Sequence, residues 1–111
     1  MQLKRVVVTG LGALTPIGKD LDSYWDSLTK GVSGAGPITR FDPEKFKTKF
    51  ACEIKDYNPN DYFDRKEARK MDHFTQYAMI TAEEAMKDAG LNLDTLDRNR
   101  AGVIWGSGIG G

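Results

Sequence analysis

Two uninterrupted apolar runs near opposite ends of the chain constrain its fold more than any other feature. One is the triplet Val6–Val8, and the other is Ala101–Trp105. Apolar residues that follow one another without polar alternation are typical of strands buried on both faces in the centre of a parallel sheet. The sequence therefore predicts strands at residues 4–9 and 101–105 in an α/β fold.

Two strands of this central type cannot supply each other with neighbours on both edges. Their unpaired backbone groups would be exposed, and isolated two-stranded units are marginally stable in water. The 111 residues are therefore expected to be the opening part of a larger α/β domain, with no complete domain within 1–111. The rest is expected either to lie outside these residues or to come from another chain.

The segment after the first strand has the periodicity of a helix. Apolar residues recur at helical spacing from Leu21 to Leu28, Asp20 or Asp22 can cap the start, and Gly31 lies where a C-terminal glycine belongs. A glycine- and proline-rich loop follows. Residues 50–55 then alternate between apolar and polar, which predicts a half-buried strand or extended edge.

Two further helices are predicted before the second strand. Asp64 and Glu67 resemble a capping box that opens a short basic helix. A longer helix, rich in small residues, is predicted from about Asp72 to Ala89 and is terminated by Gly90. The predicted order is thus strand, helix, loop, helices, strand.

The composition excludes several classes of protein. Sixteen basic residues balance 16 acidic ones, which argues against a general nucleic-acid binder. No apolar run approaches the roughly 18 residues of a membrane span. A single cysteine, Cys52, cannot form an internal disulfide, and together with one histidine, His73, it offers no metal cluster. We therefore expect a cytoplasmic protein without metal or cofactor, and without a nucleic-acid or membrane partner.

Neither glycine-rich stretch fits a nucleotide-binding motif. The turn from Gly10 through Gly12 has Thr15 where the dinucleotide fingerprint requires glycine or alanine, so a strand-to-loop turn is predicted instead. The terminal stretch GSGIGG has no lysine to reach a phosphate. Its single apolar side chain, Ile109 beside Gly108, fits one wall of an apolar pocket or a plain flexible turn, and the residues alone favour neither.

Four basic residues are spaced so that a helix would present them as one positive patch: Arg65, Lys66, Arg69 and Lys70. Such a patch is either an ordinary solvated face or a docking site for an acidic or phosphate-bearing partner. The spacing alone favours the solvated face.

Two residues invite a catalytic interpretation that the pattern does not support. Cys52 lies within the alternating segment, where a small buried hydrophobic residue is expected more often than an activated thiol. His73 lies beside a predicted helix start, where it is expected to be a capping or surface residue.

Five motifs in this order resemble the N-terminus of the β-ketoacyl-[acyl-carrier-protein] synthase family: "KRVVVTGLGALTPIG", "RFDPEKFKTKFA", "RKEARKMDHFTQYA", "AEEAMKDAGL" and "GSGIGG". The resemblance covers the whole chain and is greatest to the elongating type II enzymes of bacterial fatty acid synthesis. It implies a thiolase-like fold with two similar α/β halves in a homodimer, of which this chain would hold the opening part of the N-terminal half.

The resemblance also implies roles for individual residues. The family's catalytic cysteine and two histidines lie downstream of the matched region, so no residue of this chain is expected to be catalytic. Ile109, with Gly108, matches the acyl-chain pocket. The basic patch, Lys66, Arg69 and Lys70 together with Arg65, matches the surface that docks the acyl carrier protein. This favours docking over a solvated face.

Two functions remain open from the sequence. The full-length protein is expected to condense an acyl thioester with malonyl-[acyl-carrier-protein] in fatty acid elongation. The alternative is a non-catalytic fragment that binds the carrier protein, or a partner resembling a chain-length factor.

Overall fold

The computed structural model describes residues 1–110, and helices dominate its regular structure. Residues 1–110 form three α-helices: α1 (Leu21–Thr29), α2 (Arg65–Ala68) and α3 (His73–Asp88). A single turn of 3-10 helix, Pro59–Asp61, precedes α2. Two short antiparallel strands, β1 (Gly36–Pro37) and β2 (Phe50–Ala51), close the long loop after α1.

Helix α1 begins and ends as its sequence predicts. Asp20 is the N-cap: its carboxylate accepts the Ser23 N–H at 2.7 Å, and the Ser23 hydroxyl accepts the Asp20 N–H at 3.3 Å. At the other end Gly31 has a φ of 67°, a conformation that glycine adopts without steric cost. The Val32 N–H donates to the Ser27 carbonyl at 2.9 Å, which closes the helix with a Schellman motif.

The predicted long helix is also confirmed, with bounds within one residue of the expectation. Helix α3 ends at Asp88 with Ala89 as its C-cap, and it is closed by Gly90, where φ is 64°, and by the Leu91 N–H, which donates to the Met86 carbonyl at 3.1 Å. The prediction of a capping box at the start of α2 is wrong, because the side-chain hydrogen bond of the cap residue is not formed. Asp64 is the N-cap residue of α2, but its carboxylate makes no capping hydrogen bond.

The glycine turn near the N-terminus packs directly against α3. A Cβ atom at Gly10 would lie 2.7 Å from the Ala89 Cβ, and one at Gly12 would collide with the backbone carbonyl oxygen of Thr81. Thr81, Ala85 and Ala89 recur at every fourth residue, so they share one face of α3. The two glycines therefore serve close backbone-to-helix packing, in line with the absence of a nucleotide motif.

The strands predicted at residues 4–9 and 101–105 are not formed, and this part of the prediction is wrong. Neither segment belongs to a strand, and their apolar side chains are exposed: 87% for Val6, 79% for Val8 and 101% for Ile104. A strand is defined by hydrogen bonds to a neighbour, and no described residue pairs with either segment. Their apolar composition fits a buried sheet, but nothing within residues 1–110 covers them.

The buried part of the described chain is correspondingly small. It consists of Ala68 on α2 together with Gln76, Ile80 and Thr81 on α3. The accessible surface is 9375 Å², compared with about 6,100 Å² for a folded protein of this mass. The radius of gyration is 17.1 Å, compared with about 13 Å for a compact domain of this length. Within residues 1–110, no helix has the length and apolarity that crossing a membrane requires.

Candidate functional site

The basic residues predicted as a docking patch lie on and just beyond α2. Arg65 and Lys66 are the first two residues of the helix, and Arg69 is its C-cap with helical backbone angles. The chain then continues in a tighter turn, because the Lys70 N–H donates to the Glu67 carbonyl at 2.9 Å. All four basic side chains are exposed.

The structure divides these four residues into two pairs. Arg65 and Arg69 line an open depression of about 430 Å³ between the 3-10 helix, α2 and the start of α3. Lys66 and Lys70 do not line it. The remaining walls come from both flanking elements: Pro59, Asn60, Ala68, Met71, Asp72, His73 and Gln76.

The positive charges of this patch are not neutralised within the part of the chain that the structure describes. The ion pairs found there join Lys30 to Asp26 and Lys87 to Glu83, each at 2.7 Å. Arg65 and Arg69 have no carboxylate oxygen within 4.0 Å among the same residues, although Asp72 borders the depression. Unpaired cations around a concave surface produce a positive potential that attracts an anionic partner.

A buried glutamine holds the floor of the depression in place. Gln76 is 3% exposed, and its amide nitrogen donates to the Ala68 carbonyl at 2.9 Å and to the Met71 carbonyl at 3.0 Å. Its amide oxygen accepts the Tyr57 hydroxyl at 2.7 Å. The end of α2, the turn after it and α3 are thereby fixed relative to one another, with the polar groups of Gln76 satisfied.

Aromatic rings support the same corner of the molecule. Tyr57 contacts the rings of Tyr62, His73 and Tyr77, with centroid distances of 5.8, 5.9 and 5.1 Å. Burial, followed by the neighbouring Tyr77 and Tyr62, raises the pKa of Tyr57 to about 12. Tyr57 is therefore a neutral hydrogen-bond donor at physiological pH. Arg40 reaches the cluster from the long loop and donates to the Tyr77 hydroxyl at 2.8 Å.

The predicted acyl-pocket residues do not line this depression. Ile109 is 103% exposed. A Cβ atom at Gly110 would lie 3.9 Å from the ring of Phe74, which places the end of the described chain beside α3. The structure does not bring Gly108 and Ile109 together with the basic residues, and their place in an acyl pocket stays a prediction.

The predictions for Cys52 and His73 have different outcomes. The prediction that Cys52 is buried is wrong: it is exposed on an apolar depression lined in part by Ile17, Leu28 and Val32. The alternating segment fails to bury it because β2 covers only Phe50–Ala51. His73 is exposed at the first position of α3, which confirms the surface prediction. Residues 1–110 contain no group of three or more potential metal ligands.

Two acidic residues of α3 have structural roles that the sequence did not reveal. Glu84 accepts the Ala13 N–H at 2.8 Å with one carboxylate oxygen and the Leu21 N–H at 2.7 Å with the other. Asp88 accepts the Leu11 N–H at 2.9 Å. These carboxylates bind the backbone of the glycine turn and the first turn of α1. Their partners lie more than 60 residues away in sequence, so no local pattern predicts them.

Comparison with known proteins assigns the family. The protein-family model described as the β-ketoacyl synthase, N-terminal domain, matches residues 3–111 of this sequence. The chain is 52% identical over 110 residues to 3-oxoacyl-[acyl-carrier-protein] synthase 2 of Staphylococcus aureus strain COL, covering 99% of this chain and 27% of that protein. It is 47% identical over 111 residues to the synthase of the same name from Synechocystis sp., covering 100% and 27%. The chain belongs to the β-ketoacyl synthase family, as the motifs predicted.

Solved structures support the same assignment. The ishigamide ketosynthase/chain length factor matches with a TM-score of 0.71 and 41% identity, covering 81% of this chain and 22% of that chain. A type II polyketide ketosynthase in complex with its acyl-carrier protein matches with a TM-score of 0.61 and 25% identity, covering 82% and 23%. The predicted thiolase-like α/β fold class is confirmed. The chain spans about a quarter of the length of the curated relatives it matches.

Proposed function

We propose that the full-length protein is a 3-oxoacyl-[acyl-carrier-protein] synthase that extends acyl chains in fatty acid synthesis. The observation that carries this proposal is the 52% identity to a synthase of that name across 99% of the chain. The substrates would be an acyl thioester and malonyl-[acyl-carrier-protein]. The product would be a 3-oxoacyl thioester two carbons longer than the starting acyl group.

The chemistry follows from the reaction that the family resemblance implies. A cysteine thiolate attacks the acyl thioester and releases the carrier thiol, which leaves the acyl group on the enzyme. Malonyl-carrier protein then loses carbon dioxide, and the resulting carbanion attacks the enzyme thioester and expels the cysteine. The cysteine and the two histidines of this reaction lie downstream of residues 1–111. Cys52 and His73 do not match them, so this chain contributes no catalytic residue.

The role we assign to this chain is binding of the carrier protein by the basic patch. Lys66, Arg69, Lys70 and Arg65 present four exposed cations without carboxylate partners among the described residues. One structural relative is a ketosynthase in complex with its acyl-carrier protein, which supports a carrier protein as the partner. Contacts between exposed charges mainly steer association, and they weaken with salt.

Charge reversal in the full-length enzyme tests this function. Replacing Lys66, Arg69 and Lys70 with glutamate is expected to raise KM for carrier-linked substrates by ten- to a hundredfold, about 1.4 to 2.7 kcal/mol. KM for small acyl thioesters should be unchanged, because they do not contact the patch. Steady-state kinetics with both substrate types at two salt concentrations measures the difference. Equal effects on both substrate types would rule out docking, and no condensation by the wild-type enzyme would rule out the synthase function.

A second candidate function is that of a chain-length-factor partner without its own nucleophile. It is favoured by one observation, the match to the structure described as a ketosynthase/chain length factor. The two candidates differ at the residue that occupies the family's nucleophile position. Incubation of the full-length protein with an acyl thioester followed by mass spectrometry distinguishes them, because only a synthase acquires the acyl group on cysteine.

Three further properties belong to this proposal. The full-length enzyme would be a homodimer in the cytoplasm, as the family resemblance suggests. Ile109, with Gly108, would line its acyl-chain pocket. Substitution of Ile109 by phenylalanine should then shift activity toward shorter acyl chains, measured as the ratio of kcat/KM for long and short acyl thioesters.

A further inference from the structure

One residue of the basic depression was not part of the predicted patch. His73 lines the same depression as Arg65 and Arg69, although it lies on α3 rather than α2. The fixed corner described above, with Gln76 bonded to Ala68 and Met71, holds the two helices side by side. The tertiary fold therefore places an imidazole of α3 beside the positive surface of α2.

The His73 ring has a defined position. It is stacked on Tyr77, with a centroid distance of 5.9 Å and an interplanar angle of 8°, and it meets Tyr57 edge to face at 5.9 Å. Tyr77 is itself held by Arg40, which donates to its hydroxyl. A ring fixed by two aromatic neighbours loses little conformational freedom when a partner binds.

The groups around His73 determine what kind of partner it can contact. Arg65 and Arg69 face the depression from α2, Asp72 borders it beside His73, and Tyr57 and Tyr77 contact the ring. The cations outnumber the single carboxylate, and Asp72 forms no ion pair with a described residue. Charge complementarity therefore favours a partner that inserts an acidic side chain.

We propose that His73 is a further specificity-determining residue of the docking surface, and that it makes binding of the acidic carrier protein tighter at pH 6 than at pH 8. This inference rests on the proposed function, since it takes the carrier protein as the partner. Imidazole side chains change charge between about pH 5 and 8, whereas arginine and lysine stay charged throughout this range. The basic patch alone would not respond to pH in this range, so the part of the response that is lost when His73 is replaced belongs to the histidine.

Direct binding tests the inference without depending on turnover. Fluorescently labelled apo acyl carrier protein is titrated with the full-length protein at pH 6 and pH 8, at constant ionic strength. Wild-type protein should bind about two- to fivefold more tightly at pH 6, which is the size of one exposed charge interaction. His73→Phe keeps an aromatic ring against Tyr57 and Tyr77 but carries no charge at either pH, so its dissociation constant should change less with pH than that of the wild type.

A second variant separates charge from packing. His73→Lys is positive at both pH values, so it should bind the carrier more tightly than His73→Phe at pH 8 and show the same reduced pH response as His73→Phe. Because every variant meets the same labelled carrier, titration of the carrier itself cancels in these comparisons. A pH response in His73→Phe as large as that of the wild type overturns the inference, as does a wild type without any response.

The same measurement separates this inference from the docking proposal beneath it. The variant with glutamate at Lys66, Arg69 and Lys70 should bind the carrier at least tenfold more weakly than the wild type. If it binds as tightly as the wild type, the carrier uses another surface and the role of His73 is overturned as well. If it binds weakly while His73→Phe keeps the full pH response, only the inference about His73 fails. Condensation activity, measured separately, decides the synthase function.

Discussion

Helix α3 and the two terminal segments, residues 4–9 and 101–105, differ in whether the described residues supply partners for their backbone hydrogen bonds. Around α3, backbone donors at Leu11, Ala13 and Leu21 find carboxylates from Glu84 and Asp88. In the segments 4–9 and 101–105, apolar side chains are exposed and no ladder forms. The difference is physical: a helix closes its hydrogen bonds within its own sequence, whereas a strand requires a neighbour.

Isolation of residues 1–111 is expected to have the largest effect, because it leaves both terminal segments without sheet neighbours. We expect that chain to associate or to lack cooperative folding, since its exposed Val6–Val8 and Val103–Ile104 segments would seek sheet partners. It should also show no condensation activity. Sedimentation velocity combined with thermal unfolding measures the first property. A reversible cooperative transition from a demonstrated monomer would contradict it, and turnover abolished by Cys52→Ala would contradict the second.

A smaller but still large effect is expected where the N-terminal segment meets α3. Gly12→Ala in the full-length protein places a methyl group against the backbone carbonyl of Thr81, which no side-chain rotation can relieve. Overpacking of this kind costs about 1–3 kcal/mol. Gly36→Ala is the matched control because no heavy atom lies within 4 Å of the added Cβ. Urea denaturation of both variants tests the contrast, and equal losses would show that the close packing is not a stability determinant.

The carboxylate contacts of α3 provide the next test. Glu84→Gln keeps one acceptor oxygen but loses the charge and the second acceptor, so one of the N–H groups of Ala13 and Leu21 loses its partner. Hydrogen bonds to charged groups contribute about 1.5–3 kcal/mol. The adjacent Glu83→Gln removes only the exposed ion pair with Lys87, which is worth about 0–1 kcal/mol. The urea midpoint should be highest for the wild type, lower for Glu83→Gln and lowest for Glu84→Gln. A reversed order of the two variants would refute the anchoring role of Glu84.

Local sequence predicted the parts of the fold that local hydrogen bonds build. The ends of α1 and α3, including the glycines at Gly31 and Gly90, follow from spacing and capping chemistry. The prediction of strands at residues 4–9 and 101–105 was wrong because a strand requires a hydrogen-bonded neighbour, and no described residue pairs with either segment. The prediction that Cys52 is buried was wrong for a related reason. Alternation of apolar and polar residues predicts a strand with two different faces, but it does not establish that anything covers the apolar face.

The candidate site was predictable to a similar degree. The i, i+4 spacing identified the four basic residues, and the structure places Arg65 and Arg69 on one depression. His73 belongs to that depression only because Gln76 joins the helices, and Gln76 carries no recognisable signal in the sequence. Contacts across dozens of residues, such as those of Glu84 and Asp88, likewise require the structure.

The smallest expected effect concerns the N-cap of α1, where the stabilising hydrogen bonds join two residues close in sequence, Asp20 and Ser23. Hydrogen bonding to the Ser23 side chain, and then to its backbone N–H, holds the pKa of Asp20 below its ordinary value of 3.8. The folded state therefore binds a proton less readily than the unfolded state. The stabilisation is complete above the unfolded pKa, and it is lost as the pH falls below 3.8 and through the folded pKa.

Asp20→Asn tests this assignment because asparagine caps helices about as well as aspartate but does not titrate. Near pH 6 the variant should protect the Ser23 amide from hydrogen exchange about as well as the wild type. Between pH 6 and pH 3, after correction for intrinsic exchange, the wild type should lose up to about fivefold protection and the variant less, since the whole cap contributes about 1 kcal/mol. The amides near Gly90 provide an internal control, because that end of α3 is closed by backbone carbonyls alone. Equal acid sensitivity of Ser23 in both proteins would show that the Asp20 carboxylate is not the titrating group.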